Sequence, residues 1–67
     1  MKIELKSINA NKESVFAQIK DILGVEPKLD HDTFIFEVHN PIQWGKIKTM
    51  VDMFSTNHET LIILPIN

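Results

Sequence analysis

The spacing of apolar positions changes repeatedly along this chain, and each change marks an element. From Lys2 to Lys6 charged and apolar residues alternate, with Ile3 and Leu5 on one side and Lys2, Glu4 and Lys6 on the other. Period two is the pattern of a half-buried strand. Asn9-Ala10-Asn11 breaks it and offers side chains that cap a helix. From Lys12 the period is helical, with Val15, Ile19, Ile22 and Leu23 at i, i+4, i+7 and i+8. Gly24 ends that helix as the residue best suited to a left-handed C-cap. Thr33 to Val38 is a strand by β-propensity, with Phe34, Phe36 and Val38 on one face. Val25 to Leu29 also alternates, and Asp30-His31-Asp32 reads as a polar turn, so Val25–Leu29 and Thr33–Val38 form a hairpin. Pro27 lacks a ladder donor and puts the first arm at a sheet edge.

Asn40-Pro41-Ile42-Gln43 is a helix start, with a cap, a proline at the first helical position and a glutamine to close the capping box. Trp44, Ile47, Val51 and Phe54 follow at helical spacing with Met50 beside them, and the helix ends near Ser55–Asn57. Glu59 to Leu64 is the final strand, ahead of Pro65. The order strand, helix, strand, strand, helix, strand is that of ferredoxin-like α+β folds, a four-stranded antiparallel sheet with both helices on one face. The spatial strand order expected there is fourth, first, third, second, which makes the Pro27 strand an edge. The alternative drops that short strand and leaves a three-stranded β-α-β-α-β layer. The expected core is Ile3, Leu5, Phe34, Phe36 and Val38 against Val15, Ile19, Ile22, Ile47, Val51 and Phe54.

Sixty-seven residues make one small domain, 1–67, without linker, repeat or low-complexity tract. A chain of this size buries only about 60% of the surface its unfolded form exposes, which leaves little room for a deep substrate cavity. With no cysteine, disulfide scaffolds, thiol nucleophiles and cysteine-ligated metals are out. No apolar run reaches the roughly 20 residues of a membrane span, and no signal-peptide core is present, so the expected location is the cytoplasm. The net charge is −2, and all seven basic residues are lysines scattered among nine acids. Without arginine there is no planar fork for phosphate or guanine, and no basic stripe tracks a backbone, so nucleic acid is disfavoured. Ten isoleucines, seven lysines and five asparagines match the codon bias of an AT-rich genome. That points to a low-GC bacterium, or a phage or plasmid living in one.

The residues that carry chemistry weigh mostly toward structure. The expected topology gathers Asn9–Asn11, Asp30–Asp32 and Ser55–His58 at one end of the sheet. Asp30, His31, Asp32 and His58 are the ligands of a minority reading, a small-ligand or divalent-metal site at that end. Their spacing matches no closed zinc pattern, and such residues are what turns are made of. His39 precedes the second helix and is placed to staple onto Trp44. Gly45 inside a helix costs roughly 1 kcal/mol against alanine, and close approach of another segment or of a partner would explain it. Phosphate-loop, zinc-protease and nucleophile-elbow motifs are absent, and Ser7, Ser14 and Ser55 have no adjacent base. Comparison with heavy-metal-associated domains, RNA recognition motifs and acylphosphatases fails on paired cysteines, exposed central aromatics and arginine respectively.

No catalytic residue and no cofactor is therefore assigned. The expected function is a non-catalytic interaction or regulatory module, with an inhibitor of a larger protein as one form of it. A small enzyme or ligand binder using the loop cluster is the alternative. The expected contact residues are Ile35, Ile62 and Leu64, on the open sheet face and the uncharged last strand, together with Trp44. A protein partner is expected, including a second copy of the chain through the open face or last strand.

Overall fold

The computed structural model describes residues 1–66. Its elements are β1 (Lys2–Ser7), α1 (Lys12–Leu23), β2 (Lys28–Asp30), β3 (Thr33–Glu37), α2 (Pro41–Thr56) and β4 (Leu61–Ile66). They build an α+β architecture in which one antiparallel sheet, in the order β2-β3-β1-β4, carries both helices on one face. β1 is central, and read from β4 the strands come fourth, first, third, second. The short second strand is real, since Lys28, Leu29 and Asp30 pair with Ile35, Phe34 and Thr33. That removes the three-stranded alternative.

The strand alternation becomes the core directly. Ile3, Leu5 and Phe34 are fully buried, and Phe36, Val38 and Leu61 nearly so, against Val15 and Ile19 of α1 and Ile47 and Met50 of α2. Ile22, Val51 and Phe54 are half-buried rather than central, because Met50, three residues after Ile47, takes the place facing α1. Ser7 also points inward, and its hydroxyl donates to the Ala10 carbonyl at 3.1 Å, which satisfies a buried polar group.

Both helices start on the expected caps. Asn11 Oδ1 accepts from Ser14 N at 3.0 Å, and Asn40 Oδ1 accepts from Gln43 N at 2.8 Å. Gln43 Oε1 closes the box by accepting from His39 N at 2.9 Å. Gly24 holds the left-handed C-cap at φ 77°.

Two strand boundaries differ from the sequence pattern. The first arm of the hairpin is Lys28–Asp30, not Val25–Leu29. Val25 leaves the helix cap into solvent, and Pro27, buried and without an N–H, precedes the first paired residue. Asp30 is thus in the strand, and the turn is His31-Asp32 with His31 at φ 57°. The last strand is Leu61–Ile66, not Glu59–Leu64. Glu59 N donates to Phe54 O at 2.9 Å and Thr60 N to the Asn9 side chain, so both are engaged before the strand begins. Pro65 does not end β4 but lies inside it, opposite Ile3.

Candidate functional site

The open face of the sheet is a lattice with two different halves. Across the strands the rows read Asp30, Thr33, Lys6, Ile62, then Lys28, Ile35, Glu4, Leu64, then Glu37, Lys2, Ile66. The other three strands together carry both signs of charge, whereas β4 contributes an uncharged column of Ile62, Leu64 and Ile66. Ile62 is 42% exposed and Leu64 51%. Ile35 is half-buried and shares a row with Leu64, with Glu4 between them. Of the expected contact residues, these three lie on one face.

Trp44 does not join them. It sits in the first turns of α2 on the helix-covered side, half-buried, where Lys48, Val51, Asp52 and Ile63 share a shallow cleft with it. Lys48 Nζ is 5.9 Å from the centre of the indole ring, within reach of a cation–π contact. On its other side Trp44 lines a cleft with Val38 and His39 at the helix start. β4 is thus flanked by apolar surface on both sides: Ile62 and Leu64 on the open face, Trp44, Val51 and Ile63 on the other.

The edge itself can be read from the ladder. Ile8 N donates to Thr60 O at 3.0 Å, while Ser7 N donates to Asp32 O and Val38 N to Met1 O, both at 2.8 Å. In an antiparallel ladder such bonds alternate residue by residue. Even-numbered residues of β1 therefore bond to β4 and odd-numbered ones to β3. It follows that Ile62, Leu64 and Ile66 turn their backbone groups toward β1, and Leu61, Ile63 and Pro65 turn theirs to the outer edge. The N–H that proline lacks falls on that outer edge, where proline sits without breaking a ladder.

The loop cluster is a clamp. Asn9 Nδ2 donates to His58 O at 3.0 Å and Asn9 Oδ1 accepts from Thr60 N, so one side chain ties the α2–β4 loop to the end of β1. The expected ends do meet, but their side chains do not converge. His31 Nε2 is 3.9 Å from Asp30 Oδ1, both exposed, and Asp32 Oδ1 accepts from Thr33 Oγ1 at 3.3 Å. Among the described residues no three of His, Asp or Glu are placed to hold a metal ion. His31 and His58 both take left-handed backbone, at φ 57° and 63°, a conformation in which histidine is enriched at turns.

Sequence reasoning missed Ile66, Lys48 and Asp52 as parts of this surface, and Asn9 as a clamp. Carrying the alternation through Pro65 finds Ile66; no local signal marks Asn9. A second apolar group lies between the helices, where Ile42 and Met53 are exposed around Gly45 and Ile22. A Cβ added at Gly45 would meet nothing within 4 Å, so no segment among the described residues requires glycine there. No family model, curated protein or solved structure matches this chain.

Proposed function

We propose that this chain is a small cytoplasmic protein-interaction module of the ferredoxin-like class that regulates or inhibits a larger protein without catalysis of its own. The class assignment is supported by the β-α-β-β-α-β order and a central β1 flanked by β3 and β4. The observation that carries the functional reading is β4, which is apolar on both faces and has unpaired backbone groups along an outer edge. An uncharged edge of this length is a feature that native proteins normally cover. Ile62 and Leu64 stand out of the open face beside Ile35, and a partner resting there would bury an apolar strip rimmed by Lys6, Glu4 and Lys2.

The test is affinity capture from low-GC bacterial lysate, with wild type and Ile62→Lys as paired baits and mass spectrometry as readout. Ile62 is exposed, so the variant should keep the wild-type fold, read as an unchanged circular dichroism spectrum. The expected result is a protein retained by the wild type and lost from Ile62→Lys. Identical retention by both baits would remove β4 as the working surface.

A further inference from the structure

The outer edge of β4 specifies its own occupant. We infer that a second copy of this chain pairs antiparallel with β4, in one register, with Ile62 of each copy facing its counterpart across a two-fold axis. This rests on the reading of β4 as the interaction surface and names what covers it.

The register follows from which backbone groups are free. Only Leu61, Ile63 and Pro65 turn outward, so the hydrogen-bonded pairs of a β4–β4 ladder must come from these. Centring the axis on Ile63 sets the Pro65 ring against the Leu61 carbonyl of the second copy, where a donor is required. Centring it on Leu61 sets Ile63 against Glu59, whose N–H is already given to Phe54 O at 2.9 Å. Centring it on Ile62 pairs Leu61 with Ile63 of the second copy and Ile63 with its Leu61. Every outward N–H and C=O of those two residues is then satisfied, and Pro65 stays out of the ladder.

Charge on the helix side agrees. A two-fold axis normal to the sheet runs the two α2 helices antiparallel over the same face. Lys48 and Asp52 border the cleft over Ile63, four residues apart, on the side of α2 that faces this edge. The axis sets Lys48 of one copy toward Asp52 of the other, twice, so the surface complements itself. On the open face the two columns of Ile62 and Leu64 merge into one apolar strip.

Single cysteines test the register, because the chain has none of its own. Ile62 would face its counterpart at a non-hydrogen-bonded pair, where Cα atoms approach to about 4.5 Å, within disulfide range. Under mild oxidation Ile62→Cys should cross-link to itself far faster than Met53→Cys, an exposed site away from β4. Thr60→Cys and Leu64→Cys should cross-link to each other when mixed, and not each to itself. Sedimentation should show a dimer that Lys48→Glu weakens about tenfold and the Lys48→Glu/Asp52→Lys exchange restores. A wild type that stays monomeric at its highest soluble concentration, or a dimer that cross-links through Leu64→Cys alone, overturns the inference. If that monomer still loses its lysate partner on Ile62→Lys, the dimer falls by itself. If it binds nothing through β4, both readings fall.

Discussion

β2 and β4 border the same sheet, and each has a proline beside or within it, yet they treat their free sides differently. β2 is three residues long, follows the buried Pro27, and places Lys28 and Asp30 on the open face. A further strand would find almost no ladder to join and would have to desolvate two charges. β4 is six residues long, carries no charge, and offers consecutive outward backbone groups at Leu61 and Ile63. Its proline removes a donor only near the far end. Shortness and charge close one edge, and the lack of both leaves the other open, although the two share a core.

The largest effect should come from that shared support. Phe34 is fully buried between β1 and β2, and Phe34→Ala should cost about 3–5 kcal/mol, enough to unfold most of so small a domain in a circular dichroism melt. Leu29→Ala, at the neighbouring and partly exposed β2 position, should cost less than about 1 kcal/mol. Equal damage from the two would mean that β2 supports the core and is more than a closed border.

The comparison can also be reversed. Lys28→Val with Asp30→Val strips the charges from β2 and should create self-association that the wild type lacks at that edge, whereas Ile62→Lys should abolish association at β4. Sedimentation velocity of the two variants reads both outcomes. If the double valine variant behaves as the wild type does, the three-residue length alone closes β2.

Smaller effects separate surface from fold. Gly45→Ala places a methyl group in open space on an exposed helix and should stabilise by about 1 kcal/mol, or roughly 4–8 °C in Tm. Unchanged β4 binding in that variant would keep the inter-helix groove separate from the edge. His31→Gly relieves left-handed backbone in the β2–β3 turn but adds unfolded-state freedom, so the net gain should be only ~0.5 kcal/mol. The same melts with added zinc should not move. A site filled at 100 times its Kd would add about 2.7 kcal/mol, and a shift of that kind lost in His31→Ala or His58→Ala would make the loop cluster a metal site.

Most of the architecture was written in the chain, because one-sided burial enforces periodicity. Ile3, Leu5, Phe34 and Phe36 alternate, Val15 and Ile19 lie four apart, and Asn11, Gly24 and Asn40 occupy caps whose geometry few other residues satisfy. The misplaced boundaries have a common physical origin. Val25 continues a local alternation but leaves the helix cap into solvent, and Glu59 gives its N–H to Phe54 O at the end of α2; a local pattern registers neither. Pro65 looked like a stop, since a missing donor matters only on the paired side, and which side is paired depends on β1. The contact surface was half legible for the same reason. Ile62 and Leu64 follow from alternation, whereas the placement of Trp44 beside Ile63 rather than Ile62 depends on how α2 crosses the sheet.

The central position of β1 also sets a timetable. Of the four strands it comes first along the chain, yet one of its two neighbours, β4, comes last. Until β4 docks, β1 has only β3 to pair with, and the backbone groups of Lys2, Glu4 and Lys6 that meet β4 have no partner. A chain in which β1 and β3 have paired and β4 has not carries a temporary sheet edge at its middle strand, lined by charged side chains that discourage wrong pairings. The alternating lysines and glutamate of β1 thus guard the protein while it folds, at a position that the finished molecule covers.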